Sequence, residues 1–153
     1  MRRSPELKRI LEEAGVTISA GEISNILTQE KKEELTRERE EILKAGLESS
    51  GYFHTDDTGL KHKGKNHHVH VICNALFSAF FITPKKDREN PDEEEKGKLE
   101  KAAWENMMSI LDTCRKQGVG FFDYVKDIFS GKRALTRLGH LISQKASIES
   151  TFY

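Results

Sequence analysis

Apolar residues near the start of the chain recur at helical spacing. Leu7, Ile10 and Leu11, and then Ile23, Ile26 and Leu27, each stand at i, i+3 and i+4, the stripe of an amphipathic helix. Ser4 before Pro5 opens the first and Gly15 closes it, while Ser19 and Glu22 form a capping box for the second. Two short helices over 4–28 have the outline of a helix-turn-helix. A plain helical hairpin is the simpler reading, because the second helix offers Glu22 and Glu30 and no Arg, a poor set for phosphate contact.

Residues 29–48 mix acids and bases almost throughout, with Leu35, Ile42, Leu43 and Leu47 as a thin apolar stripe. That pattern predicts a solvated helix running along one edge of the fold, and its stripe is too short for a coiled coil. From Ser49-Ser50-Gly51 the period changes. Val69, Val71 and Cys73 alternate with His68, His70 and Ile72, the period of two that marks a half-buried strand. Three strands are predicted over 52–58, 67–74 and 76–83. A polar turn with two glycines separates the first two, and a tight hairpin at Asn74-Ala75 separates the others. Such a meander needs helices to cover it.

Residues 84–98 hold two of the three prolines, the acidic run Asp92-Glu93-Glu94-Glu95 and four lysines, and read as an exposed linker. After it the helical period returns. Leu99, Ala103, Met107, Ile110, Leu111 and Cys114 share a face up to Gly118. Phe121, Phe122, Val125, Ile128 and Phe129 follow up to Gly131, and Leu135, Leu138, Leu141 and Ile142 mark a last helix. The expected class is α+β: a three-stranded antiparallel meander with helices before and after it. The expected units are a helical segment 1–48, the meander 49–83, the linker 84–98 and a helical segment 99–153.

Composition narrows the function. Charged residues make up 33% of the 153, above a usual ~25%. Lys+Arg 25 balances Asp+Glu 25, so the formal charge is zero. A chain-wide basic field for gripping nucleic acid is excluded, and only a local patch remains open. The longest apolar run, Ala75 to Ile82, is far short of a membrane span. No secretory signal follows Met1-Arg2-Arg3, and two cysteines make no disulfide framework, so a cytoplasmic setting away from membranes is expected. Cys73 and Cys114 read as packed small hydrophobes, and Trp104 as an anchor between helix and sheet.

Five of the six histidines lie between His54 and His70, together with Asp56-Asp57. A zinc site would draw on His68 and His70, which share a strand face, and on His54 or His62 as a third ligand, but this spacing matches no standard zinc motif. Polar residues on an exposed sheet face are the simpler account of the histidines. The aspartates fit another chemistry: a strand-borne carboxylate suits magnesium, which takes one or two carboxylates and completes its shell with water and phosphate oxygens. Paired ions of that kind serve phosphoryl transfer. Lys61, Lys63 and Lys65 in the turn, with Lys85, Lys86 and Arg88 after the third strand, form a candidate basic edge for DNA phosphate.

Residues 52–59, Tyr-Phe-His-Thr-Asp-Asp-Thr-Gly, then His62-Lys63-Gly64-Lys65-Asn66 and Asn74-Ala75-Leu76-Phe77, resemble the first three strands of the catalytic domain of bacterial insertion-sequence transposases of the DDE type. The segment 16–28 resembles the helical stretch upstream of that strand, and 104–131 resembles the carboxy-terminal helical region. The resemblance implies a ribonuclease-H-like sheet, here partial, and an activity of DNA cleavage and strand transfer with Mg2+ as cofactor. It implies Asp56 as the first catalytic, metal-holding acid, with Asp57 the adjacent acidic position. Because strand neighbours face opposite ways, only one of the two can aim at the metals. Insertion-sequence ends are the implied partner, with full-length transposase or a further copy of the chain as protein partners. The family's long stretch between third strand and carboxy-terminal helices, which supplies the second Asp and the Glu, has no counterpart here. An internally deleted remnant, inactive alone, is the expectation. The alternative is a non-catalytic module that binds DNA or a transposase.

Overall fold

The computed structural model describes residues 29–49, 51–62, 65–84 and 91–151. The paired helices expected over 4–28, with their helix-turn-helix outline, lie outside the described residues. Helix α1 (Lys32–Ser49) leads into strands β1 (His54–His62), β2 (Lys65–Cys73) and β3 (Ser78–Pro84). Helices α2 (Pro91–Gln117), α3 (Phe121–Ser130) and α4 (Leu138–Thr151) follow. The strands form one antiparallel sheet in the order β1-β2-β3, the α+β meander that the periodicity predicts.

Strand limits differ from the expected ones for physical reasons. The β1–β2 ladder runs through the polar stretch read as a turn, pairing Leu60 with His67 and His62 with Lys65. Backbone pairing needs no apolar side chains, so the period-two signal stops before the ladder does. At the other end Leu76 and Phe77 leave the sheet and are buried in the core. The link 74–77 is held by the Asn74 side chain, whose Oδ1 accepts from the Leu76 amide at 2.8 Å. The linker expected over 84–98 is overturned in large part: α2 begins at Pro91. Proline suits the first helical position, and acids in the first turn complement the helix dipole. The Pro-acid run is therefore a helix start.

The core sits among the helices and along β3. Leu35, Ile42, Phe77, Ala79, Ile110, Cys114, Ile128, Leu138 and Ile142 are all fully buried. Helix α1 is no solvated edge: Leu35, Glu38, Ile42, Ala45 and Gly46 form its buried face. Its charges are matched by partners distant in sequence. Glu38 accepts from the Tyr124 hydroxyl and pairs with Arg133. Arg39 meets Glu105 at 3.2 Å and Glu41 meets Arg137 at 2.6 Å. The Tyr124 oxygen also accepts from the Leu138 amide at 3.0 Å, so one buried network ties α1, α3 and the start of α4. Gly118 and Gly131 take the left-handed φ values of 70° and 74° that end α2 and α3.

Helix α2 closes the outer edge of β3 in an unusual way. The amides of Ser78, Phe80 and Ile82 donate to Thr113 Oγ1, Ser109 Oγ and Glu105 Oε2 at 3.1, 3.0 and 3.2 Å. Thr113 Oγ1 also donates back to the Ser78 carbonyl, and Gln117 Nε2 donates to the Leu76 carbonyl. Four helical residues rise about 6 Å, and two strand residues about 6.6 Å. A polar side chain every fourth residue on α2 thus matches every second residue of β3. Trp104 packs edge-on against Phe80 at 5.8 Å between ring centroids, which makes it the helix–sheet anchor expected.

Candidate functional site

Asp56 and Asp57 sit near the middle of β1, and both are exposed. Register puts Asp56 opposite Val71 and Asp57 opposite His70, so the two carboxylates stand on opposite faces of the sheet. Asp56 Oδ1 accepts from the Asp57 amide at 2.8 Å. On the other face Asp57 Oδ1 lies 3.6 Å from His68 Nδ1 and 3.7 Å from His70 Nδ1. His54, paired with Cys73, belongs to the face opposite His68 and His70, which removes it as a third ligand beside them. Among the described residues no group of three or more His, Cys, Asp or Glu is placed to hold a metal ion.

The acids of α2 with described side chains are engaged elsewhere. Glu105 takes the Ile82 amide and Arg39. Burial pushes its carboxyl above the ordinary range, and Arg39 and the Ile82 amide only partly offset that. Asp112 accepts from the Ser78 hydroxyl and from Arg115 Nε and Nη2 at 2.9 and 2.7 Å. Burial acts upward on Asp112 too, but the Ser78 hydroxyl, Arg115 and Lys116 outweigh it and hold the group below the ordinary range. Both acids bond β3, which lies two strand spacings from β1, roughly 10 Å. Magnesium binds oxygens at about 2.0–2.1 Å, so ligands of one ion must crowd within a few ångströms of each other. The described donors around Asp56 do not fit a two-ion centre.

The basic positions divide. Lys61 and Lys65 flank the end of the β1–β2 ladder, opposite Asn66 and His62; Lys63, Lys85 and Lys86 lie outside the described residues. A cavity of about 220 Å³ lies away from Asp56, lined by Glu34, Arg37, Glu38, Gly131, Arg133 and Arg137. Its Arg133 has a left-handed φ of 50° and is held there by the buried Glu38 carboxylate. Cys114 is fully buried, and burial pushes its thiol up to about 12, which suits a packed hydrophobe and not a nucleophile. No described helix is long and apolar enough to cross a membrane.

Two features escaped the sequence reading. The stripe Glu105, Ser109, Thr113, Gln117 carried a readable signal, a polar residue at every fourth position on a face next to the apolar one. The Glu38–Tyr124–Arg133 network carried none, since its members are 86 and 95 residues apart.

No curated protein and no solved structure matches the chain. A family model does: that described as the transposase IS66 family matches residues 6–112, a span that includes α1, the whole sheet and most of α2. With the Asp56 strand, the whole meander and most of the following helix inside that span, the chain belongs to the IS66 family of transposases, and its function is related to transposition.

Proposed function

We propose that this chain is a transposase-derived protein of DNA transposition that neither cuts nor joins DNA by itself. The observation that carries the reading is the isolation of Asp56 among the described acids. Glu105 and Asp112 are the acids of α2 with described side chains, and both are spent on the far edge of the sheet. The short passage from Pro84 to Pro91 leaves no room between β3 and α2 for further strands bearing a second Asp and a Glu. Asp56 is then the family's first acid without its companions, and a lone exposed carboxylate holds Mg2+ weakly. What remains is contact with insertion-sequence ends through Lys61, Lys63, Lys65, Lys85 and Lys86, and association with a full-length transposase or with another copy of the chain.

The deciding assay is cleavage and strand transfer on DNA carrying the element's ends, with Mg2+ or Mn2+. No product is expected. Metal-dependent turnover that disappears in Asp56→Ala would overturn the reading. DNA binding followed across a salt series checks the basic positions: phosphate contact weakens steeply as salt rises, and binding that is absent or indifferent to salt removes them.

A further inference from the structure

The geometry points to β1 as a dimerisation edge: it pairs antiparallel with β1 of a second copy, centred on Gly59, so that two three-stranded sheets become one of six strands. This rests on the association with another copy proposed above and gives it a surface, and it does not depend on whether the chain cuts DNA.

The argument begins with which backbone groups are used. The amides of Ser78, Phe80 and Ile82 in β3 turn outward to α2, so Ala79, Phe81 and Thr83 turn inward to Ile72, His70 and His68. Backbone groups alternate sides along a strand. Val69, Val71 and Cys73 of β2 therefore face β1, where they meet Thr58, Asp56 and His54. It follows that the backbone groups of Thr55, Asp57, Gly59 and Lys61 point to the outer edge of β1. The Asp57 amide agrees, since it donates to its neighbour's carboxylate and not to β2. Among the described residues no strand pairs with that edge. β1 is 9 residues long and contains no proline. The opposite edge of the sheet is capped by α2, so the sheet can grow on one side only.

Charge selects the partner. The first half of β1 carries Asp56 and Asp57, and the second half carries Lys61 and His62. Charged edge residues often keep sheets apart. Here the signs are arranged about Gly59 so that an antiparallel copy matches them. Residue pairs summing to 118 place Asp57 opposite Lys61 of the second copy and Asp56 opposite His62, each twice by symmetry. Asp57 and Lys61 are also residues whose backbone groups face the edge, so charge pairing and backbone pairing call for one register. A parallel copy in the same register would set Asp57 against Asp57. Gly59 falls on the two-fold axis, where a Cβ would meet nothing within 4 Å. The contact is isologous and closes as a dimer.

The test uses the full chain and sedimentation over a range of concentrations. The wild type is expected to dimerise. Opposite-charge cross-strand pairs contribute roughly 0.2–1 kcal/mol each, and each single exchange turns two of them repulsive. Asp57→Lys and Lys61→Asp, each alone, should therefore weaken association about tenfold or more. An equimolar mixture of the two variants, and the double variant, should restore it. A second measurement does not rely on charge. In a Cys73→Ser background, Gly59→Cys should form a disulfide-linked dimer on mild oxidation, because Cα atoms at such a pair lie about 5.5 Å apart. Thr55→Cys, four residues from the axis, should not. A wild type that stays monomeric, a mixture that does not re-associate, or crosslinking at Thr55→Cys and not at Gly59→Cys overturns the proposal. Dimerisation seen only when full-length transposase is added assigns the edge to that partner and overturns it equally.

Discussion

Around Ile110, Ile128 and Ile142 the chain packs side chains that are fully buried, drawn from three helices. Among the described side chains of the β1–β2 ribbon none is more than half-buried, and Asp56 and Asp57 are exposed. The helical region is stabilised by apolar area removed from water. The ribbon relies on its backbone ladder and on its tie to β3, and Phe53 pins its start by packing edge-on against Phe77. The edges of the sheet repeat this contrast, for β3 is sealed by side chains of α2 while no described strand pairs with the outer edge of β1. Asp56 is thus on the less supported region, and the stability of the fold resides in the other.

The sharpest way to break the contrast is to make the same kind of truncation in both regions. Ile142→Ala, at a fully buried position, should destabilise the chain by about 2–5 kcal/mol. Val71→Ala, at a half-buried site in β2 opposite Asp56, should cost about 1 kcal/mol or less. Denaturant unfolding measures both, and equal losses would show that the ribbon carries as much of the core as the helices do.

A second change addresses the sealed edge. Thr113 is fully buried and both accepts from the Ser78 amide and donates to its carbonyl, at 3.1 Å each. Thr113→Val keeps the shape and leaves both backbone groups without that partner, so a loss of about 1–3 kcal/mol is expected. Hydrogen exchange at the Ser78 amide should quicken more than at the β1 amides. If it does not, α2 is not what protects that edge.

The smallest effect concerns pH. The Asp112 carboxyl is held below the ordinary range, so its ionised form is favoured by folding. Its stabilisation is fully present above the unfolded-state value and is lost as pH falls through the lower folded one. Asp112→Asn should lower stability near neutrality by about 0.5–1.5 kcal/mol and should flatten the acid limb of the stability profile. An acid limb as steep as the wild type's would assign that slope to other carboxylates.

Much of this was legible along the chain, and for a definite reason. Period-two alternation around Val69, Val71 and Cys73 and the glycines at 118 and 131 are local signals, and they mark the sheet and the helix ends correctly. The motif around Asp56 is likewise contiguous, and with the segments before and after it in the same order it pointed to the transposase family that the match over 6–112 shows. The run after Pro91 is a helix start and not a linker, and composition alone does not choose between the two, because acids next to proline mark either.

Sequence alone determined the α+β class, the three-stranded meander and the glycine-marked helix ends, because each depends on residues within a turn or a strand of one another. Tertiary structure decided the fate of the charges. Helix α1 looked solvated until Arg133, Tyr124, Glu105 and Arg137 were brought to it from the far end of the chain. Nothing local to Glu105 and Asp112 marks the β3 groups that hold them. A charged side chain is stable in water or beside a partner, and which of the two it has is set by contacts that no local pattern records.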